Sequence, residues 1–130
     1  MIVTDLRLGN ILLGYDKIPF KWDFNHFKLC GDGIDADEIG MPILLTEEWL
    51  LKFGFEKGFN TLFKQKNGFG RQTTVSIEFN GMNDIAIWTT ENVGTEDETN
   101  STFNIENNLK YVHQMQNLYF SIIGEELQDK

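Results

Sequence analysis

The stretch of sequence that decides the fold is NLKYVHQMQNLYFSIIGEELQDK, residues 108–130. Its apolar residues recur at spacings of three and four, which is the pattern of a helix that buries one side. This spacing predicts a helix from about Asn108 to Ile123, and Gly124 is a natural stop. The residues expected to face the core are Val112, Met115, Tyr119 and Ile122, flanked by Leu109, Leu118 and Ile123.

Upstream of this helix, the first third of the chain has the pattern of β-strands. Phe20, Trp22 and Phe24 alternate with polar residues, which predicts a half-buried strand. The apolar pattern continues out of phase to Leu29, which predicts a bulge near residues 25–26.

A short helix is predicted in the middle of the chain. Thr46 is a good N-cap, and the two glutamates that follow it favour the positive end of a helix. Leu50 and Phe53 would face the core, and Gly54 would end the helix at the C′ position.

The segment after this helix returns to period-2 alternation and contains two Asn-Gly turn signals. The predicted order is a strand over Phe59–Lys66, a turn at Asn67-Gly68, a strand around Val75–Phe79, a turn at Asn80-Gly81, a strand around Ile85–Thr89, an exposed loop over Glu91–Ser101 and a short strand over Thr102–Ile105.

This order of elements predicts an α+β fold: a largely antiparallel sheet, a short middle helix, and a longer C-terminal helix packed on the sheet. A small SH3-like barrel in the β part is an alternative.

A chain of 130 residues predicts a single domain over residues 1–130. The lone Cys30 excludes an internal disulfide and fits a cytoplasmic location, and neither a signal peptide nor a membrane-spanning stretch is expected.

The net charge of −9 is concentrated in two parts of the chain. There is no Lys or Arg between Arg71 and Lys110, where seven acidic residues lie, or between Lys28 and Lys52, where six lie. Such a field repels phosphate, so direct binding to nucleic acid or to an anionic membrane is disfavoured. A protein partner with a basic surface is favoured; the alternative is that the acidity only keeps the protein soluble.

Candidate chemistry is sparse in this sequence. His113 lies beside amides and has no neighbouring carboxylate to orient it, so a surface or capping role is favoured over catalysis. The acidic turn Asp32–Glu38 has its acids and glycine at the wrong offsets for an EF-hand loop, which favours a solvated turn over a calcium site. Motifs for phosphate, dinucleotide, zinc and serine-hydrolase sites are absent. The sequence therefore predicts no enzymatic activity, no metal and no cofactor.

Three blocks of sequence carry a resemblance to a known family. They are LRLGN at residues 6–10, PILLTEEWLLKFGF at 42–55, and KYVHQMQNLYF at 110–120 followed by GEEL at 124–127. In these blocks the chain resembles small uncharacterised proteins of phages and integrated mobile elements of Bacteroidota. The resemblance implies no catalytic residues; it implies a small accessory gene product of a mobile element.

This setting leads to a specific functional hypothesis, a non-enzymatic inhibitor of host defence. Compact acidic phage proteins can occupy the basic nucleic-acid channel of a CRISPR effector, including an RNA-targeting nuclease. The alternative is a phage structural or assembly subunit with a self-interface, so that a homo-oligomer is also considered. A small-ligand or enzymatic role is a third hypothesis. The residues expected to contact a partner are Asp32, Asp35, Asp37, Glu38, Trp88, Glu91, Glu96, Asp97 and Glu98.

Overall fold

The computed structural model describes residues 5–58, 61–68, 71–79, 85–91, 99–103 and 109–127. The elements in chain order are β1 (Ile11–Leu13), β2 (Pro19–Lys21), α1 (Phe24–Gly31), α2 (Ala36–Ile39), α3 (Glu47–Lys52), β3 (Glu56–Lys57), β4 (Leu62–Gly68), β5 (Arg71–Phe79), β6 (Ile85–Glu91), β7 (Thr99–Phe103) and α4 (Val112–Ile123). Antiparallel sheets and a C-terminal helix confirm the predicted α+β class. Of the helices described, none has the length and apolarity to cross a membrane.

The chain divides into two compact units. The first, here called the terminal unit, combines the described residues up to Leu45 with Tyr111–Leu127. The second, the central unit, contains the described residues between Thr46 and Lys110. The expectation of a single domain over residues 1–130 stays a prediction.

The terminal unit contains a two-stranded antiparallel sheet in which Leu12 pairs with Phe20. Its hydrophobic core brings together residues that are far apart in sequence. Leu6, Leu12, Trp22 and Ala36 are buried, and Phe20, Phe27, Cys30 and Ile39 pack against them.

Helix α1 contradicts the predicted continuation of the β2 strand. Phe24, which the alternation placed on a buried strand face, begins this helix and is 71% exposed. Asp23 caps the helix: its carboxylate accepts a hydrogen bond from the His26 N–H at 3.1 Å, while His26 Nδ1 accepts one from the Asp23 N–H at 2.9 Å. This reciprocal pair satisfies two backbone donors and so stabilises the start of a helix where the period-2 pattern predicted a strand. The bulge predicted near residues 25–26 is absent, because these residues lie in α1.

Helix α4 confirms the predicted C-terminal helix, with a later start. It begins at Val112, and the side chain of Gln114 accepts a hydrogen bond from the Tyr111 N–H at 3.1 Å. Gly124 ends it in the left-handed conformation at φ 82°, as expected. Three of the predicted core residues are buried, namely Val112, Met115 and Tyr119, and Ile122 is half-buried.

The central unit contains a five-stranded antiparallel sheet in the order β3-β4-β5-β6-β7. Val75, Ile77 and Ile87 form a fully buried face, as the alternation predicts. Helix α3 has the predicted Thr46 cap and contributes the buried side chain of Leu50. Gly54 has φ 90°, consistent with its predicted place after the helix.

Three details of the predicted β region are wrong. Asn67 and Gly68 do not form the turn but pair with Gln72 and Arg71 in the β4–β5 ladder. Thr99–Ser101, predicted as loop, belong to β7 and pair with β6. The sheet does not close into the SH3-like barrel, because β3 and β7 do not pair within the described part of the chain. The predicted turn at residues 80–81 lies outside the described residues.

Candidate functional site

The acidic turn Asp32–Glu38 connects two helices of the terminal unit. Asp32 is the C-cap of α1, and Asp35 is the N-cap of α2 without a side-chain capping bond. Asp37 and Glu38 lie in the first turn of α2, where carboxylates favour the positive helix end. All four side chains are exposed. The structure therefore brings these four predicted contact residues together on one connection.

A tyrosine that sequence reasoning missed lies against this turn. The Tyr15 hydroxyl donates a hydrogen bond to the backbone carbonyl of Asp37, while the Tyr15 side chain is 59% exposed. Tyr15 belongs to the β1–β2 turn, which also exposes Ile18. We call Tyr15, Ile18 and the four acidic residues the acidic-aromatic surface. The one available sequence signal was an aromatic residue inside a turn between two apolar runs.

The remaining predicted contact residues belong to the central unit. Trp88 is half-buried on β6 and pairs with Ser76 of β5. Glu91 is the last residue of β6 and pairs with Thr73 and Thr99. Glu96, Asp97 and Glu98 lie outside the described residues.

The first and the last of the three sequence blocks are joined by polar contacts in the terminal unit. Arg7 of the first block donates through Nε to the Asn117 side-chain oxygen at 2.8 Å. Its two terminal nitrogens donate to the carboxylate of Glu126 at 2.6 and 3.1 Å, a bidentate pair. The guanidinium also lies 4.3 Å from the centre of the Phe120 ring. A single arginine thus ties the N-terminal segment to α4 and to the segment after it.

Two amides of α4 complete this network. Gln116 is buried; its oxygen accepts from the Ile11 N–H at 2.8 Å and its nitrogen donates to the Gly9 carbonyl at 3.1 Å. Asn117 accepts from the Asn10 side chain at 2.9 Å. The middle block joins through the Ile43 carbonyl, which accepts from the Val112 N–H at 2.8 Å. These bonds give Gln116 and Asn117 a structural role in joining the N-terminal segment to α4.

His113 is buried, which contradicts its expected surface or capping role. It is 4% exposed, stacks on the Tyr111 ring with centroids 5.9 Å apart, and its Nδ1 has no hydrogen-bond partner among the described residues. Burial lowers the pKa of His113 below its ordinary value of 6.5, and the Asp5 carboxylate opposes this shift. The residue is therefore held in its neutral form at neutral pH. The capping role belongs to Gln114.

Metal-binding geometry is absent from the part of the chain that the structure describes. No three His, Cys, Asp or Glu side chains there lie together as a metal site requires. His26 and Cys30 both lie in helix α1. The His26 side chain takes part in the N-terminal cap of this helix, and its ring stacks on Trp22 with centroids 5.0 Å apart.

Comparison with protein-family models, with curated proteins and with solved structures finds no match to this chain.

Proposed function

We propose that this protein is a non-enzymatic, acidic protein-binding module of phage or mobile-element origin that inhibits a defence protein in the bacterial cytoplasm. The favoured target is a nucleic-acid-binding effector with a basic surface, such as an RNA-targeting CRISPR nuclease. The observation that carries the proposal is the acidic-aromatic surface, in which the hydroxyl of the exposed Tyr15 bonds to the backbone of a turn that has four exposed acidic side chains.

The chemistry of this surface suits a basic partner. Tyrosine supplies a large contact area at low entropic cost and is enriched at interface hot spots. The exposed carboxylates of the turn that it contacts would raise the association rate with a positively charged protein and disfavour nucleic acid. The tyrosine hydroxyl is already bonded to the Asp37 carbonyl, so the ring is oriented before a partner arrives.

The charge distribution of the central unit adds to this argument. Seven acidic residues and no lysine or arginine lie between Arg71 and Lys110, which is the part of the chain that forms most of the sheet. A basic groove that normally binds a phosphate backbone would attract such an acidic stretch of sequence.

The test is affinity capture from host lysate at low and at high salt. We expect the protein to recover a basic nucleic-acid-binding protein at about 50 mM salt and to lose it at about 500 mM, because screening removes the attraction between exposed charges. Recovery of no basic protein at low salt would contradict the proposal.

A matched pair of variants locates the contact. Asp35→Asn with Glu38→Gln removes two charges from the acidic-aromatic surface, and Glu48→Gln with Glu56→Gln removes two exposed charges elsewhere. We expect the first pair, and Tyr15→Ala, to weaken capture at least ten-fold, and the second pair to weaken it far less. Equal weakening by both pairs would mean that only the net charge matters.

A structural or assembly subunit is the second candidate function. The terminal unit exposes large apolar side chains, among them Phe24 and Leu44, which are 71% and 62% exposed. Exposed apolar side chains can contribute to a self-interface. Light scattering that shows a strict monomer at about 100 μM would exclude this candidate.

A further inference from the structure

The terminal unit is discontinuous in sequence, and its two segments are joined by bonds that lie within the unit. The side chain of Gln116 bonds to the backbone of Ile11 and Gly9, and Arg7 bonds to Glu126. Each of these bonds joins the first segment of the unit to the last, and no residue of the central unit takes part in them. The residues of its hydrophobic core all belong to the first segment. These contacts therefore do not depend on the central unit.

The chain leaves the terminal unit and returns to it at neighbouring positions. The first segment of the unit ends at Leu45, and the second begins at Tyr111. Leu44 and Tyr111 form an antiparallel bridge, and the Ile43 carbonyl accepts a hydrogen bond from the Val112 N–H at 2.8 Å. The Cα atoms of antiparallel partners lie about 5 Å apart, so the points of exit and return are side by side. The central unit is thus inserted at a single place in the terminal unit.

The central unit is one continuous piece of chain whose strands pair locally. Its sheet has the order β3-β4-β5-β6-β7, so each strand pairs with its neighbour in sequence. It also contains its own buried apolar side chains, which are Leu50, Phe53, Phe55, Leu62, Val75, Ile77, Ile87 and Leu109. A segment with its own sheet and its own buried apolar residues has what a cooperative folding unit needs.

We propose that the central unit is an insertion and that each of the two units opens and closes cooperatively while the other stays folded. Opening of the central unit turns residues 46–110 into a long loop whose ends are still held by the bridge between Leu44 and Tyr111. The entropic cost of closing a loop grows only with the logarithm of its length, so a connection of this length is tolerated. Opening of the terminal unit, in turn, breaks no strand pair of the five-stranded sheet. The acidic-aromatic surface keeps its structure when the central unit opens, because all of its residues lie in the terminal unit.

Native-state hydrogen exchange of the full chain tests the proposal with a matched pair of variants. Ile11→Val and Ile77→Val each remove one methylene from a buried strand residue, the first in the terminal unit and the second in the central unit. We expect Ile77→Val to accelerate exchange of the slowest β5 and β6 amides roughly two- to twelve-fold, and exchange of the slowest β1 and α4 amides less than about two-fold. Ile11→Val should give the reverse pattern. Equal acceleration of both sets of amides by either variant would overturn the proposal and would indicate a single cooperative domain.

Tryptophan fluorescence of the full chain provides the second test. Trp22 is the tryptophan of the terminal unit, and Trp49 and Trp88 belong to the central unit. A double variant, Trp49→Phe with Trp88→Phe, therefore reports on the terminal unit, and Trp22→Phe reports on the central unit. In urea, we expect the addition of Ile77→Val to lower the unfolding midpoint of the Trp22→Phe protein and to leave that of the double variant unchanged. Equal shifts of both midpoints would contradict the proposal, because a single cooperative domain unfolds in one transition that every reporter shares.

Discussion

Gln116 is a buried amide whose oxygen and nitrogen both bond to the backbone of the N-terminal segment, at Ile11 and Gly9. Gln116→Leu preserves much of the volume and leaves the buried Ile11 N–H and the partly buried Gly9 C=O without these partners. We expect a loss of about 2–3 kcal/mol in the free energy of unfolding, because each unsatisfied buried group costs about 1–3 kcal/mol. Urea unfolding measures this loss. Gln65→Leu, at an exposed position of β4, is the control, and an equal effect of both variants would contradict the role given to Gln116.

Arg7 is the second residue whose geometry leads to a prediction. Arg7→Lys keeps the charge but loses the fork that binds Glu126 at two points and the Nε–H that reaches Asn117. We expect a cost of about 1 kcal/mol, at the low end for a bidentate pair, since both side chains are about a third exposed and solvent screens them. A double-mutant cycle with Glu126→Gln measures the coupling by urea unfolding. Strict additivity would show that the ion pair contributes nothing.

The lowered pKa of His113 leads to a prediction of how the stability of the protein depends on pH. Its pKa is lowered in the folded state, so between that value and 6.5 the unfolded state binds more protons. We expect stability to be full above pH 6.5 and to fall as the pH drops from there towards the folded pKa. Thermal unfolding from pH 7.5 to 5 measures this. His113→Phe, which keeps an aromatic ring at this buried position, should show a smaller loss of stability over this pH range. If the variant loses as much stability as the unmodified protein, groups other than His113 cause the pH dependence.

At the scale of the element, two glycines near helix ends offer a matched comparison. Gly124 follows α4 at φ 82°, and Gly31 ends α1 without a positive φ; an added Cβ has open space at both. Gly124→Ala should therefore cost about 1 kcal/mol through backbone strain, and Gly31→Ala should be neutral or slightly stabilising. Chemical unfolding of both variants tests this. Equal effects would contradict the role of the left-handed cap.

Element α1 also shows where periodicity is a weak guide. Over Phe20–Phe24 the apolar residues alternate, yet the strand ends at Lys21 because Asp23 starts a helix. The decisive bonds are made by an aspartate and a histidine, a pairing less common than the serine–glutamate capping box that sequence patterns report. In α4 the periodicity and the terminal glycine agreed with each other, and the predicted end at Ile123 was confirmed, whereas the helix starts at Val112 and not at about Asn108.

At the scale of the whole molecule, the net charge of −9 sets the response to salt. Self-repulsion destabilises a compact acidic protein, and added salt screens it. We expect the melting temperature to rise between about 10 and 200 mM NaCl, even though screening also weakens the exposed pairs Arg7–Glu126 and Lys57–Glu47. A triple variant, Glu96→Gln, Asp97→Asn and Glu98→Gln, should show a smaller rise. A melting temperature that falls with salt would mean that the ion pairs outweigh the repulsion.

The candidate site was predictable only in part. The acidic turn Asp32–Glu38 was recognisable because charge and turn residues are local properties of a sequence. Tyr15 was not recognisable as its neighbour, since Tyr15 and Asp37 are 22 positions apart in the sequence and meet only in the folded terminal unit. The burial of His113 was missed because its contacts depend on how the terminal unit packs.

The sequence alone was enough to establish the α+β class, the acidic field, the α3 cap and the C-terminal helix, because propensity, periodicity and charge act over a few neighbouring residues. Tertiary structure decided which polar residues of the terminal unit meet. Arg7, Gln116, Asn117 and Glu126 are polar residues that any surface could carry, and their role arises from contacts across more than a hundred positions. Such contacts form only when the free energy gained by packing the core exceeds the entropic cost of bringing distant parts of the chain together. No local pattern in the sequence therefore predicts them.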